Sequence, residues 1–398
     1  MSDTLTTRLP AIVAVGYNRP DALLRLLTSL AAGEYPAGVP LVISLDHSGN
    51  EAPGIVADAF AWPHGPKRII RHQSNLGLRE HILSCGDLTR EYGTIVLFED
   101  DIVASPHHYA YVLQAIERYG DDERVAGFGL YGYRINEFNN VDFEPVDDGS
   151  DVYFLQVAAS WGQAWTAAQW QLFRGWYAKH GSEPIVVADH VPRQLEAWRS
   201  NSWKRFYIKY LTATGRTFLF PRTALSTNTA RSGTNTKREV SIYQTVLDQR
   251  ARVWRMPPLE GSRARYDVFY EPDPAILHGL CPGLAGMDFD VDLYGTKPPE
   301  ALTRPYLLSS RPARGTPQFG LLFGAPPVAS ILQGTPGEFF TCARRELFGP
   351  MTTARRMRLI RATQIGRPLN NLMFQMLKPL QTSLLIRKGR RAVGMTHG

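Results

Sequence analysis

The chain has 398 residues, of which 44 % are hydrophobic and 20 % are charged, and its formal net charge is +7. This length allows two or three compact units, each able to bury a hydrophobic core. The three cysteines lie far apart in the sequence and match no paired ligand spacing, which argues against a disulfide framework and against a zinc site.

The N-terminal residues carry no recognisable targeting signal. Met1 to Leu9 are mostly polar, and the apolar run from Ala11 to Val15 is too short for a signal peptide. No apolar stretch reaches the roughly 18 residues that a membrane-spanning helix needs. The sequence therefore predicts a cytoplasmic protein.

The positive charge is concentrated at the C-terminus. Met351 to Gly398 contain ten Lys and Arg residues and no acid, so the rest of the chain carries a net charge of −3. Leucines of this tail recur near helical spacing, which favours peripheral contact with an anionic membrane at the inner surface, although a solvated basic tail is the alternative. Nucleic acid is not an expected partner, because the body of the chain is slightly acidic and contains no recognised binding module.

The first part of the chain alternates apolar runs with amphipathic helical patterns. The predicted strands are Ala11–Val15, Leu41–Leu45, Arg68–Arg71 and Thr94–Phe98. Strands that alternate with helices are typical of βαβ units, so the pattern predicts an α/β fold with a parallel sheet.

Polar loops follow three of these strands. They are Tyr17-Asn18-Arg19, Asp46-His47-Ser48 and Glu99-Asp100-Asp101. Open α/β sheets bind ligands at the carboxyl ends of their strands, so we expect a ligand at these loops.

The triplet Glu99-Asp100-Asp101 has the chemistry of a cation site. A hard divalent cation held by one or two carboxylates and by phosphate oxygens neutralises a departing nucleoside diphosphate. A solvated turn is the alternative interpretation of three acids at the end of a strand.

The rest of the chain is less regular. The predicted elements are a helix from Ser105-Pro106, a strand at Val152–Val157, a Trp-rich segment at Ser160–Trp165, a helix to about Tyr177, helical pattern over Pro192–Thr212 and a strand at Thr217–Phe220. The Pro- and Gly-rich stretch Pro257–Pro336 predicts irregular structure with short elements. We therefore expect a domain at 1–250, an extension at 251–348 and a basic tail at 349–398.

These motifs resemble the GT-A glycosyltransferases of the family 2 type, and more closely the N-acetylglucosaminyltransferase I group with its bacterial relatives. Those proteins carry a Glu-Asp-Asp form of the DxD motif after the fourth strand, as Val96–Asp101 followed by Ile102–Pro106 do here. The resemblance implies a GT-A fold with a central, mostly parallel sheet, followed by a helical or irregular C-terminal extension. It also implies that Asp101 binds Mn²⁺ or Mg²⁺ and that Glu99 and Asp100 face the sugar and the ribose.

Other donor-binding residues follow from the same resemblance. Tyr17 and Arg19 match the loop that recognises the nucleotide, Asp46 matches an aspartate that contacts uracil, and Gly77 and Arg79 match the third loop of the donor site. A turn acid for Asp46 and a surface ion pair for Arg79 are the alternatives.

The predicted acceptor side is formed by two segments. Trp161, Gly162 and Trp165 match the segment over which the family places the donor sugar and the acceptor, although tryptophans at such a corner also suit a protein core. Thr234 lies in a loop that resembles a lid on the phosphate side, where bacterial relatives have a histidine and this chain has Asn235.

The sequence departs from the family where an acceptor base is expected. Inverting members place an aspartate beside a tryptophan, whereas this chain reads Ser202-Trp203-Lys204-Arg205. Asp189 and Glu196 lie upstream and are the remaining base candidates, with a solvated helix acid as the alternative role for each.

The resemblance thus implies a hexosyl- or N-acetylhexosaminyltransferase of polysaccharide biosynthesis, with a UDP-linked donor and a glycan or lipid-linked acceptor. A catalytically silent protein that binds a nucleotide sugar or a glycan is the alternative, because Lys204 replaces the expected base. A nucleotidyltransferase is disfavoured by the absence of its glycine-rich opening loop. A dinucleotide-dependent oxidoreductase is disfavoured because no Gly-x-Gly-x-x-Gly follows the first strand.

Overall fold

The computed structural model describes residues 8–229 and 243–363, and the chain divides into two compact units. The first unit consists of Met1–Gly132, Gly149–Glu183 and Ser200–Gly261. The second consists of Tyr133–Asp148, Pro184–Arg199 and Ser262–Gly398. These boundaries differ from the expected division at residues 250 and 348, because two short segments within the first 250 residues belong to the second unit.

Eight strands of the first unit form one sheet. They are β1 Ala11–Gly16, β2 Leu41–Leu45, β3 Lys67–Arg71, β4 Thr94–Glu99, β6 Val125–Gly129, β7 Val152–Leu155, β8 Gln163–Thr166 and β9 Thr217–Pro221. Their order is β7-β9-β6-β8-β4-β1-β2-β3. Strands β3, β2, β1 and β4 run parallel, as do β6 and β9, whereas β8 is antiparallel to both of its neighbours and β7 is antiparallel to β9. The predicted α/β class with a mostly parallel sheet is confirmed.

Burial explains the sequences of the parallel strands. Every residue of β1 and β2 is buried, as are the first five residues of β4, which is typical of a sheet covered on both faces. The edge strand β3 instead exposes Arg68 and Arg71, and charged side chains on an edge strand oppose pairing with another chain.

The helices of the first unit pack apolar stripes on this sheet. They are α1 Pro20–Ala31, α2 Ala52–Ala59, α3 Gly77–Asp87, α4 Thr89–Tyr92, α5 His108–Tyr119, α6 Ala167–His180 and α8 Trp203–Thr214. In α1 the buried leucines at 23, 26, 27 and 30 have the spacing of one helical face, and Pro20 occupies the first turn, where its missing N–H costs nothing.

The helical pattern predicted over Pro192–Thr212 is not a single helix. It consists of the short helix α7, Gln194–Ala197, in the second unit and of α8 in the first. The backbone is extended at Trp198, which ends α7, and again at Ser202, which precedes α8.

The second unit contains a sheet that the sequence did not predict. The strands of the second unit are β11 Arg265–Tyr266, β12 Phe289–Asp292, β13 Tyr306–Ser309, β14 Gln318–Phe319 and β15 Phe340–Arg344, of which all but β11 belong to this sheet, and the further helices of the unit are α9 Pro274–Leu280, α10 Pro327–Leu332 and α11 Thr353–Thr363. Four strands pair in the order β12-β13-β15-β14 around a core that includes Phe289, Leu308 and Phe340. The short elements expected in this stretch are present, and the sequence did not predict that four of them pair as a sheet. Strands of two to five residues between Pro and Gly are too short for periodicity to reveal.

In the two described stretches, 8–229 and 243–363, no helix combines the length and the apolar character that crossing a membrane would require.

Candidate active site

The three acids Glu99, Asp100 and Asp101 lie where β4 leaves the sheet of the first unit. Glu99 is the last residue of β4, and Val15 of β1 is its partner in the parallel register. Next along the sheet, Gly16 of β1 is paired with Leu45 at the end of β2. The acids therefore share one sheet edge with the loops that follow β1 and β2, as the sequence predicts.

A short antiparallel pair continues from this edge. Strand β5 Ile102–Ala104 directly follows the acids and pairs with β10 Ser226–Asn228. The backbone N–H of Thr229 donates to the carbonyl oxygen of Asp101 at 2.8 Å, which fixes the turn that carries the acids.

Arg19 joins two of the three acids. Its Nε donates to Asp100 Oδ2 at 3.2 Å, and Nη2 of the same guanidinium binds the other oxygen, so the pair is bidentate. Nη2 also lies 3.6 Å from Asp101 Oδ2. The side chains of Arg19 and Asp101 keep 28 % and 26 % of their surface exposed, whereas Asp100 keeps 7 %. Arg19 and Asp101 therefore remain accessible to a ligand, and Asp100 is largely used within the protein.

The acids raise one another's proton affinity. Burial, followed by the charges of Asp101 and Asp100, raises the pKa of Glu99 to about 8, against the opposing effects of Arg19 and of a hydrogen bond from Trp203. Burial also raises the pKa of Asp100, although Arg19 lowers it. The cluster is thus short of positive charge, and a cation bound here would favour the ionised carboxylates.

The donor set at this edge fits a hard divalent cation whose remaining ligands come from a bound phosphate. Asp101 offers an accessible carboxylate, and Mg²⁺ is usually held by one or two carboxylates together with phosphate oxygens. Within the described residues, no group of three or more His, Cys, Asp and Glu side chains is arranged to hold a metal ion. Among the described residues, this edge therefore offers a metal ion some carboxylate ligands, and the remaining ligands would come from a bound phosphate.

Asp46 fixes the loop that begins α3. Its Oδ1 accepts the backbone N–H groups of His47 at 2.9 Å and Leu76 at 2.8 Å, and its Oδ2 accepts that of Gly77 at 3.0 Å. The side chain is buried, and Gly77 has a φ of +75°, which favours glycine. The structure thus brings Asp46 and Gly77 together as predicted, but with the Asp46 carboxylate already engaged in positioning the loop. A contact of Asp46 with the base of the donor stays a prediction.

Tyr17 belongs to the same group of loops. Asn75 Nδ2 donates to the Tyr17 hydroxyl at 3.2 Å and to the carbonyl oxygen of His47 at 2.9 Å. Ser48 Oγ donates to the carbonyl oxygen of Tyr17 at 3.1 Å. The loops after β1, β2 and β3 are therefore held to one another at the sheet edge.

Arg79 contacts α8 and its preceding residues. Its Nε donates to Glu80 at 3.1 Å, its Nη1 donates to the carbonyl oxygen of Ser200 at 3.4 Å, and its guanidinium carbon lies 5.3 Å from the ring centroid of Phe206. These contacts orient Arg79, and none of the three involves Glu99, Asp100 or Asp101. Its predicted role toward the donor remains untested by this geometry.

The predicted acceptor residues fall into different environments. Trp161 is half-buried, with the Tyr131 ring 4.6 Å and the Lys204 Nζ 5.3 Å from the centroid of its indole ring. Gly162 has a φ of +93°, and a Cβ there would lie 2.8 Å from Ser226 Oγ.

Trp165, in contrast, is fully buried and packs against Trp170, Trp203 and Tyr207. We therefore assign Trp165 to the core and no longer expect it to contact an acceptor. Thr234 lies outside the described residues.

The two base candidates belong to the second unit. Asp189 Oδ2 accepts the backbone N–H of Val186 at 2.9 Å, and Glu196 Oε1 accepts that of Val187 at 2.8 Å. Both acids thus stabilise local backbone, and their role as bases stays a prediction.

Sequence reasoning missed the role of Trp203. It lowers the pKa of Glu99 against the effect of burial, and its ring is buried at the start of α8. The signal was present, because the family places a tryptophan beside the acceptor base and Trp203 stands at the matching position. Arg25 of α1 was also missed; its charge stabilises the ionised form of Asp100.

No family model matches the sequence, and no curated protein matches it. Solved structures to which the chain is similar include S. aureus TarS 1–349 in complex with UDP-GlcNAc, at 12 % identity and a TM-score of 0.36 over 56 % of this chain and 59 % of that one. Another is the mannosyltransferase PcManGT from Pyrobaculum calidifontis in complex with GDP-Man and Mn²⁺, at 12 % identity and a TM-score of 0.30 over 43 % and 47 % of the two chains. A third is GalNAc-T7 with UDP, GalNAc and Mn²⁺, at 11 % identity and a TM-score of 0.36 over 55 % and 43 %.

The matched region covers less than two thirds of each of these three proteins. Glycosyltransferase structures are thus among those to which the chain is similar, as the sequence motifs predict. Similarity at this level assigns neither a substrate nor a site residue to the chain.

Proposed function

We propose that the chain is a metal-assisted glycosyltransferase that moves a sugar from a nucleotide-diphosphate sugar, UDP-linked, to a glycan or lipid-linked acceptor. The observation that supports this most directly is the arrangement of Arg19, Asp100 and Asp101 at the carboxyl edge of the sheet. Arg19 holds the Asp100 carboxylate and also lies 3.6 Å from Asp101. One accessible cation and one accessible carboxylate thus face the place where open α/β sheets bind ligands.

The roles of the residues follow from their positions. Asp101 would hold Mn²⁺ or Mg²⁺, which would neutralise charge on the departing diphosphate. Arg19 favours the ionised form of Asp100 and presents the exposed part of its guanidinium to phosphate oxygens. Contacts of Glu99 and Asp100 with hydroxyl groups of the sugar and the ribose stay predictions, because both oxygens of Asp100 are already bound by Arg19.

Two further surfaces complete the proposed site. The loops with Tyr17, Asp46, Gly77 and Arg79 would enclose the nucleotide. Trp161 is half-buried, unlike Trp165, and is the aromatic acceptor residue that we propose to contact a sugar, because aromatic faces pack against the apolar side of a sugar ring.

The proposal places the protein in the cytoplasm, in polysaccharide biosynthesis, with peripheral membrane contact through the basic tail and without a nucleic-acid partner. Most of that tail, residues 364–398, lies outside the described residues.

A catalytically silent binder of nucleotide sugars is the second candidate. It is favoured by Lys204, which stands where an acceptor base is expected and whose ammonium lies over the ring of Trp161. Release of free UDP from a UDP-sugar in the presence of Mn²⁺ separates the two candidates, because a binder releases none.

Thermal shift tests the donor site. We expect UDP and a UDP-linked sugar with Mn²⁺ to raise the melting temperature of the wild type, since ligand at about 100 times its Kd adds about 2.7 kcal/mol to stability. Asp101→Asn should lose the Mn²⁺-dependent part of the shift. Asp121→Asn is the matched control, because Asp121 is exposed on a turn of the same unit. Equal shifts in the wild type and in Asp101→Asn would contradict the assigned metal role.

A further inference from the structure

A loop of the second unit exposes apolar side chains without any polar one. Residues 320–327 read Gly-Leu-Leu-Phe-Gly-Ala-Pro-Pro, so no side chain in this apolar loop can form a hydrogen bond. Leu321 and Leu322 are half-buried, and Phe323 is 73 % exposed. Among the large hydrophobic side chains that are exposed in the described part of the chain, Phe323 is the one aromatic ring. Exposing such a ring to water is unfavourable, so we expect a binding partner to cover the Phe323 ring.

Backbone hydrogen bonds hold the apolar loop in place. The N–H of Gly320 donates to the carbonyl oxygen of Thr335 at 2.6 Å, and that of Leu322 donates to Ser330 Oγ at 3.1 Å. The N–H of Gly324 donates to the carbonyl oxygen of Ala362 at 2.7 Å. The loop therefore presents Phe323 from a fixed backbone, next to the C-terminal end of α11.

The neighbouring part of α11 is basic. Arg358 and Arg361 are both exposed, and α11 contains no acid. Arg355 donates from its Nε to the carbonyl oxygen of Ser310 at 2.8 Å, and the exposed guanidinium of Arg358 lies 5.3 Å from the ring centroid of Phe339. The sequence beyond α11, residues 364–398, adds six further Lys and Arg residues and no acid. Exposed apolar surface thus lies beside concentrated positive charge.

We propose that the apolar loop, together with Arg358 and Arg361, contacts an anionic lipid surface, with Phe323 entering the boundary between head groups and acyl chains. An aromatic ring without a polar neighbour gains from that boundary, and guanidinium groups bind lipid phosphates. Each cation near an anionic membrane strengthens binding by about fivefold.

Charge disfavours two other partners for the apolar loop, which are a second copy of the chain and the chain's own segment beyond residue 363. A two-fold dimer centred on the loop would bring the arginines of one copy toward those of the other. The chain's own segment beyond residue 363 has the same sign of charge as Arg358 and Arg361, so charge complementarity does not favour it as the partner of this loop. An anionic lipid surface is complementary to both the ring and the arginines.

Vesicle flotation of the full chain tests the proposal. We expect binding to vesicles of phosphatidylcholine with phosphatidylglycerol, weaker binding to phosphatidylcholine alone, and loss of binding at high salt. Phe323→Ser should weaken binding by about tenfold or more, since a buried phenylalanine ring contributes at least that factor. Arg358→Gln combined with Arg361→Gln should weaken binding by about 25-fold and reduce its salt dependence. Ile55→Ser is the matched control, because Ile55 is 66 % exposed on α2 of the first unit.

Site-specific labelling shows whether the loop itself touches lipid. The three natural cysteines are buried, so a cysteine introduced as Phe323→Cys can be labelled selectively with an environment-sensitive dye. We expect a blue shift of that dye on addition of the anionic vesicles and no shift of a dye at Ile55→Cys. Flotation without a blue shift at position 323 would assign binding to the tail and overturn the proposal. A dimer in lipid-free solution that dissociates in Phe323→Ser would overturn it in favour of self-association.

Discussion

Arg19 is the residue on which the charge balance of the proposed site depends. Its guanidinium binds both oxygens of Asp100, whose side chain is 7 % exposed. We expect Arg19→Lys to destabilise the protein by about 1–3 kcal/mol, because an ammonium group cannot bind both oxygens and leaves part of a buried carboxylate unpaired. Urea unfolding measures this loss.

Arg71→Lys provides the control for that substitution. Arg71 forms a 2.6 Å ion pair with Asp58, and both side chains are largely exposed, at 44 % and 63 %. An exposed pair contributes about 0–1 kcal/mol, so little change is expected. Equal losses in the two variants would show that Arg19 is an ordinary surface arginine.

His81 makes the stability of the first unit depend on pH. The residue is buried, and its Nε2 lies 2.8 Å from Ser44 Oγ. Burial lowers the pKa of His81 from 6.5 to about 4, with Asp46 opposing and His72 adding to the decrease. The unfolded chain therefore binds more protons between these values, and the stability that neutral His81 contributes is complete above pH 6.5 and is lost as the pH falls toward 4.

We expect the difference in unfolding free energy between the wild type and His81→Gln to depend on pH. The gap in unfolding free energy between the wild type and His81→Gln should narrow below pH 6.5, by up to about 1.4 kcal/mol per pH unit. Ser44→Ala removes the hydrogen bond but keeps the titrating ring, so its pH slope should stay that of the wild type. A gap for His81→Gln that does not change with pH would refute the buried neutral state.

Among the elements, the start of β8 depends on a glycine. Gly162 precedes β8 with a φ of +93°, and an added Cβ would lie 2.8 Å from Ser226 Oγ. Gly162→Ala should therefore destabilise the protein by about 1–3 kcal/mol. Gly175 lies exposed within α6 with no atom within 4 Å of a Cβ, so Gly175→Ala should stabilise it by about 0.5–1 kcal/mol. Thermal unfolding should show a lower melting temperature for Gly162→Ala and a higher one for Gly175→Ala. A lower melting temperature in both variants would show that the backbone conformation of Gly162 does not explain its effect on stability.

The elements also show what the sequence can predict. The strand Leu41–Leu45 was predicted with its observed bounds, because a buried parallel strand is a continuous apolar run between turn residues. Strand β8 was missed, because Gln163-Ala164-Trp165-Thr166 has no strand signal of its own and is ordered by antiparallel pairing with β4 and β6. Tertiary partners decide such short segments.

The same distinction applies to the site. The proximity of Arg19 to Asp100 and Asp101 was predictable, since the carboxyl ends of adjacent parallel strands meet at one edge. The effect of Trp203 on the pKa of Glu99 was not, because it depends on how α8 packs on the sheet. The engagement of Asp46 with backbone N–H groups likewise depends on the exact path of the loop before α3.

At the scale of the whole molecule, the three cysteines should not react with thiol reagents in the native state. Burial raises the pKa of Cys85 and of Cys342 to about 12 and also raises that of Cys281. A thiol reagent of the disulfide type should therefore label none of them in the native protein and all three in denaturant, because the thiolate is the reactive form. Rapid labelling of the native chain would contradict this. Cys85 belongs to the first unit and the other two to the second, so the number of thiols labelled in partial denaturant also reports which unit opens.

The interleaving of the two units along the chain has a consequence for biosynthesis. Tyr133–Asp148 and Pro184–Arg199 belong with Ser262–Gly398, yet the ribosome makes them well before that segment. At about 5–20 residues per second, these early pieces wait on the order of ten seconds for their native neighbours. A chain that ends near residue 261 would lack the rest of the second unit, so these two segments could not reach their native contacts. We expect such truncated chains to bind chaperones more strongly than the full chain does.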